Sequence, residues 1–308
     1  MNKKRNEKPT VGGQALIEGI YMRGPYKGCI AVRKPDNSIY IETESLTQVK
    51  GKKIPVLRGI IAMIESLKTG YSCIMKSADI SMESESQEGK FELFLKRIFG
   101  EGAAKVIEVF SGVLGILLSV FLFIALPTYL SSGIDRLIPL GVFRTLIEGV
   151  IKIFIFIGYL FLATRNKDIR RVFEYHGAEH KSVSCYEAGE MLTVENVKKH
   201  SRFHPRCGTS YIFLVLIVSI LVFSFVPIED ALLRTGLKLV SVPLVMGLSY
   251  EILRFTGKNN GILSKIIASP GLWVQRLTTF EPDEYQIEVA IAALCQVIPD
   301  EGQICGNA

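Results

Sequence analysis

All four histidines of the 308-residue chain, at 176, 180, 200 and 204, fall within 29 residues. The first pair stands in Glu174-Tyr175-His176-Gly177-Ala178-Glu179-His180-Lys181. On a helix, residues four apart share a face and lie about 6 Å apart along the axis. Two imidazoles so placed reach a single cation. The order H-x-x-E-H is that of the inverted zinc proteases, in which the glutamate serves as general base beside the metal. A pair of surface histidines on a basic amphipathic helix would give the same string.

A third ligand must come from elsewhere. Glu187 shares the face of His176 and His180 but stands about 10 Å past His180 along a continuous helix, too far for one ion. The segment His200-Ser-Arg-Phe-His204-Pro-Arg-Cys207-Gly can fold back instead, and both His204 and Cys207 are ordinary zinc ligands. The preferred set is His176, His180 and His204, with Cys207 in reserve; a plain buried thiol is the other reading of Cys207. Nitrogen and sulfur donors suit zinc better than magnesium or calcium. Glu251, in Tyr250-Glu251-Ile252-Leu253-Arg254, is an acid deep in an apolar segment and so a candidate for site support. An ion pair with Arg254, three residues on, is the other reading and the slightly favoured one.

These residues have to be carried by a membrane-bound frame. Apolar residues make up 48% of the chain and charged ones 21%, and the mean hydropathy is +0.30. No charge occurs from Val109 to Ile134 or from Cys207 to Ile228, and about 18 such residues suffice for a span. A purely soluble protein is excluded. Four spans are expected, near 106–127 (ending at Pro127), 146–164, 209–227 and 236–255. The second and fourth contain charges, Glu148 and Lys152 in one and Lys238 and Glu251 in the other. Glu148 and Lys152, four apart, can pair on their helix, Lys152 can also snorkel, and Pro243 should kink the fourth span.

Orientation follows from basic residues. Nine lie in 165–208, against Arg136 and Arg144 in 128–145 and Arg234 alone in 228–235. The positive-inside rule puts the 165–208 loop and both termini in the cytoplasm of a plasma-membrane protein. The opening MNKKRNEKPTVGG has no apolar core of signal-peptide length, so a secreted or periplasmic protein is not expected. The six cysteines (29, 73, 185, 207, 295, 305) then face a reducing compartment, and no disulfide framework is expected. The basic residues follow the membrane, so no nucleic acid is expected as a partner, and the lipid bilayer is.

The fold class expected is mainly α and polytopic, with a small N-terminal β-containing region and a C-terminal helix. Residues 1–90 form the cytoplasmic α+β region. Strands are read at 29–33 and 38–44 around Pro35-Asp36-Asn37, and tight backbone geometry in the glycine-rich 12–25. An amphipathic helix over 55–80 carries apolar positions Ile60, Ile64, Leu67, Tyr71 and Ile74, packed on the sheet or lying along the membrane. An acidic linker covers 81–89. Transmembrane hairpins at 91–164 and 209–255 flank the His-rich loop 165–208. The tail 256–308 brings Trp273 to the interface and ends in a helix near 282–297.

GGQALIEGIYMRGP (12–25), HGAEHKSVSCYE (176–187), HPRCGTS (204–210) and YEILR (250–254) resemble the bacterial YqhQ-like membrane proteins over nearly the whole chain. That family is a domain of unknown function described as predicted metal-dependent enzymes. The resemblance implies a metal, and a motif of His176, Glu179, His180, His204 and Cys207 that leaves out His200. Two functional expectations follow. One is a membrane metal-dependent hydrolase with Glu179 as base and a cytoplasm-facing site. The other is a scaffold or accessory of a membrane-protein complex, with His and Cys207 closing a structural four-ligand site.

Overall fold

The computed structural model describes residues 9, 11–46, 54–81, 103–226, 228–258, 261–299 and 304–305. The acidic linker, past Ser81, lies outside them. The chain divides into two compact units, one of residues 1–84, 160–214 and 247–308, the other of 85–159 and 215–246.

The first unit is built on an antiparallel meander of β1 (Gly12–Leu16), β2 (Gly19–Arg23), β3 (Lys27–Arg33) and β4 (Ile39–Ser45). Successive strand side chains point to opposite faces, and here both faces are covered. Ile20, Met22, Cys29 and Ala31 enter one core with Tyr175, Ala178, Ile287, Ala290 and Leu294. Tyr21, Ile30 and Val32 enter another with Leu16, Cys73 and Ile80. The glycine-rich 12–25 is thus two strands, paired across a turn in which Glu18 takes φ 49°.

Helix α1 (Leu57–Ser81) supplies Cys73 and Ile80 to the second core. Its predicted apolar stripe faces the other way: Ile64, Leu67, Tyr71 and Ile74 are exposed, and Gly59, Gly70 and Ser77 are buried. Small residues let a helix approach its neighbours closely, so they, and not the large apolar ones, mark the packed side here.

The opposite sheet face is covered by α5 (Lys167–Ala188) and α10 (Glu284–Cys295), the latter started by a reciprocal Asp283/Gln286 capping box, and the short α6 (Val194–Lys199) adds Val197 to the same core. Cys295 is joined to Cys305 by a disulfide, which corrects the expectation that every cysteine is reduced. Ten residues apart in sequence, they are brought together because Ile304 and Cys305 fold back on the core beside α10. Cys29, Cys73, Cys185 and Cys207 lie outside this disulfide. Helix α9 (Ile262–Thr278) carries Trp273, the residue expected at the interface, which is half exposed.

Among the described residues, three helical segments, not four, are long and apolar enough to cross a membrane: Val109–Leu137, Arg144–Ala163 and Ala231–Thr256. The first joins α2 (Ala103–Val120) to α3 (Leu126–Leu137) through a wide π turn at Phe121–Ala125. That turn loosens the backbone just ahead of Pro127, whose missing N–H would otherwise break the ladder, and the helix runs on for ten residues past the expected end. The second is α4 (Arg144–Ala163), and the third lies in α8 (Ala231–Lys258), which continues through Pro243. The expected 209–227 span is α7 (Gly208–Ser224), only 17 residues. It is bounded by the turn at Cys207 and the approach to Pro227, and its length of about 26 Å falls short of a hydrocarbon core near 30 Å.

In the second unit, Glu148 does not pair with Lys152. Its carboxylate accepts from Lys238 Nζ and from Thr128 Oγ1 (3.1 Å) and faces Arg234 Nε at 3.2 Å. Arg144 is held by Ser132 Oγ (2.6 Å), the Glu229 carbonyl (2.9 Å) and Asp135 (3.5 Å).

Gly177 on α5 lies against the Phe280 carbonyl so closely that a Cβ would overlap it. Gly177→Ala should therefore push α5 off the 280–282 segment and destabilise the protein by about 1–3 kcal/mol. A lowered thermal midpoint of the detergent-solubilised chain checks this, with Gly158→Ala, which meets open space, as the neutral control.

Candidate metal centre

Helix α5 starts where the Asn166 side chain accepts the Asp168 and Ile169 amides, and ends at Gly189 in the left-handed region, φ 81°. Its middle is buried, which fixes the rotation that His176 and His180 share. Their ring centroids stand 4.4 Å apart.

Each of the two rings is aimed by a backbone carbonyl. His176 Nδ1 donates to Thr278 O at 2.8 Å, and His180 Nδ1 donates to Arg202 O at 2.6 Å. A carbonyl only accepts, so in the neutral form of each ring Nδ1 carries the proton and Nε2 keeps its lone pair. Metal-ligating histidines show the same outer bond, which sets tautomer and direction. Burial pushes the His180 basicity down, favouring the neutral ring.

The third donor gathered here is Cys207. Its Sγ lies 3.2 Å from His176 Nε2, and donor atoms of His176, His180 and Cys207 all fall within 4.8 Å of one another. Donors around a tetrahedral zinc with bonds of about 2.0–2.3 Å stand about 3.3–3.9 Å apart. The His176–Cys207 separation is already close to this spacing, and the 4.8 Å limit on the others leaves the three residues within a small adjustment of holding such an ion. Thr209 steadies the sulfur through its amide (3.4 Å) and hydroxyl (3.2 Å).

His204, the first choice by sequence, is turned elsewhere. Its ring is 5.7 Å from that of His180, but Nε2 faces Glu187 at 3.4 Å and Nδ1 accepts the Arg206 amide at 3.4 Å. Glu187, about two turns past His180, is out of reach of the cluster yet well placed for His204 and the Arg206 guanidinium. Half-burial pushes the Glu187 carboxyl up, but the His204 hydrogen bond and the Arg206 charge outweigh it and hold it below the usual range.

Glu179 lies buried beside the cluster, and Oε1 accepts the Gly13 amide at 2.8 Å. Burial raises its carboxyl above the usual range, opposed by His176 and the Gly13 amide. A base tuned upward in this way is suited to taking a proton near neutral pH. A Cβ at residue 13 would run into the Tyr21 carbonyl and come within 3.4 Å of the Glu179 carboxyl carbon, so the approach requires glycine. The β1–β2 turn is anchored to the same helix: Glu18 pairs with Arg171 and accepts from the Tyr175 hydroxyl at 3.1 Å. A cavity of about 100 Å³ is lined by Gly12, Gly13, His176, Glu179, His204 and Cys207 among others.

Glu251 takes no part in this cluster. Its carboxylate accepts from the Val56 amide (3.0 Å) and from both arms of the Arg58 guanidinium (Nε at 2.7 Å), while Arg254 is exposed. The fork geometry of Arg58 matches both carboxylate oxygens, which a neighbour three residues on the same helix does not. A second set of donors, Cys185, Glu190 and His200, also lies within 4.8 Å, with Glu190 exposed.

Sequence reasoning missed Gly13, Glu18, Thr278 and Gln275. The density of glycines in 12–25 was the available signal for the first two. Gln275, fully buried on α9, brackets His204 by accepting its amide (2.9 Å) and donating to its carbonyl (2.8 Å).

Taken together, fold and cluster define a class: a chain with membrane-length helices and an α/β unit that gathers two histidines, a cysteine and a buried glutamate. The chain belongs to the family described as "Protein of unknown function (DUF1385)", whose model matches residues 54–300. It is 36% identical over 302 residues to "Uncharacterized protein YqhQ" of Bacillus subtilis (strain 168), covering 96% of this chain and 94% of that one. No solved structure matches.

Gln275→Leu strips both bonds from the His204 backbone and leaves two buried polar groups unpaired, each costing about 1–3 kcal/mol. Peptides covering 200–212 should then take up deuterium markedly faster, while those of β2 and β3 should not change.

Proposed function

We propose that the protein is a metal-dependent hydrolase of the plasma membrane, with His176, His180 and Cys207 as the ligands of one divalent ion, zinc by the chemistry of the donor set. The observation that carries this reading is the pair of Nδ1–H bonds to Thr278 and Arg202, which leave both Nε2 lone pairs available beside one sulfur, that of His176 at 3.2 Å from it. Three protein ligands with one position open is the catalytic pattern, whereas a structural site is closed by four. His204, occupied with Glu187, supports the open one.

A bound divalent ion would polarise a substrate carbonyl or phosphoryl group and acidify a water. Everything else falls to the chain. Glu179, fixed through Oε1 by Gly13, offers its carboxylate to that water as proton acceptor and returns the proton to the leaving group. The Arg202 and Thr278 carbonyls hold the imidazoles in place throughout. The small cavity limits how much water stands beside the reacting bond. The nine basic residues of 165–208 support a cytoplasmic position for this site.

The test is metal content and turnover on the full chain. His176→Ala, His180→Ala and Cys207→Ala should each drop zinc from about one per chain to near none, and His204→Ala should retain it. Glu179→Gln should keep zinc and lose hydrolysis across peptide, phosphoester and lipid-ester panels, since only the proton acceptor is removed. Loss of zinc in His204→Ala to the same degree as in Cys207→Ala would instead indicate a closed, structural site. For orientation, Ser201→Cys, at an exposed position, should resist an impermeant thiol reagent in intact cells and react in opened ones.

A further inference from the structure

The described residues of the second unit carry a charge imbalance. Glu148 is met by Lys238 and Arg234, and Lys152 stands one turn along α4 on the same side. That is three cations around one carboxylate, all more than nine-tenths buried. The nearby Arg144 is already matched by Asp135. Lys152 itself makes no hydrogen bond or ion pair among the described residues, although it is only 7% exposed. It does not snorkel. An ammonium in a membrane-length helix is costly unless it is paired or faces a polar cavity.

Lys152 does face a cavity. A partly open space of about 150 Å³ is lined by Lys152 and Lys238 together with Phe123, Ile124, Val215 and Val242. Two cations lie at its wall and the rest is almost wholly apolar. An apolar cavity near 150 Å³ accommodates something the size of benzene, so a single inorganic ion would leave most of this wall uncovered. A ligand with an oxyanion head and a hydrocarbon body would satisfy both parts of the lining.

We propose that this cavity binds the anionic head group of an amphiphile, a carboxylate or phosphate, through Lys152 and Lys238, with its first carbons against the apolar wall. The inference is independent of the metal centre. The head group would supply the negative charge that Glu148 alone does not. Lys238 is already directed by Glu148 and by Thr128 Oγ1 (2.8 Å), so Lys152 is the side chain whose donors are all available.

Binding to the full-length protein in a neutral maltoside detergent tests this, with native mass spectrometry as the readout. The probes are palmitate and dioleoyl phosphatidate, with hexadecanol and dioleoylglycerol as their uncharged counterparts. One of the two anions should bind saturably, at least about tenfold tighter than its uncharged counterpart. Which one binds distinguishes a fatty-acid carboxylate from a phospholipid phosphate. Lys152→Met should abolish the preference, and Lys152→Arg should keep it. Val242→Phe, which fills the cavity and leaves every charge in place, should block binding. Equal binding of charged and uncharged probes to the wild-type chain would overturn the proposal, as would an anion preference that survives Lys152→Met or Val242→Phe. The wild-type and Val242→Phe measurements decide the matter even if Lys152→Met does not fold.

Discussion

A neutral imidazole that gives its Nδ1 proton to a carbonyl has one direction left for its Nε2 lone pair. His176 and His180 are both bound this way, to carbonyls from two different parts of the chain, the end of α9 and the 200–207 turn. For those carbonyls to stand where they do, α9 must dock, Gln275 must grip the His204 backbone, and Gly177 must admit the Phe280 carbonyl. The sheet has a matching task, because β1 delivers the Gly13 amide to Glu179 and the following turn ties Glu18 to Arg171. Loss of either carbonyl bond would free a ring to rotate, and the cluster would lose its common focus.

What could be read from sequence and what could not divide along physical lines. His176, Glu179 and His180 were legible because helical spacing is a local property. The choice between His204 and Cys207 was not local. It turns on Glu187, which takes up the His204 ring, and on α9, whose docking sets the turn. The strands at 29–33 and 38–44 were visible from their β-branched and aromatic residues, whereas β1 and β2 were hidden by glycines that strands ordinarily avoid. In α1 the period was right and the face was wrong, since burial there follows Gly59, Gly70 and Ser77 and not the large apolar positions.

The membrane-length helices show the same contrast. Long uncharged runs identify a segment, but its ends depend on turns and prolines. The first helix extends through Pro127 by opening a π turn, and α7 stops at 17 residues. Glu148 and Lys152 look like a pair by spacing, yet Glu148 is taken by Lys238 and Arg234, residues more than eighty positions away. Tertiary partners outcompete a helical neighbour when they bring better geometry.

Two of the three gathered donors ride on one helical turn of α5, so their separation is set by the helix rise and scarcely varies. Only Cys207, at the tip of a turn, can advance or retreat. Discrimination between ions of different radius thus becomes a question of how far that one turn can travel before Gln275 holds it back. On the proposed metal-binding reading, a lineage that altered its ion would leave α5 untouched and vary the turn and the glutamine behind it.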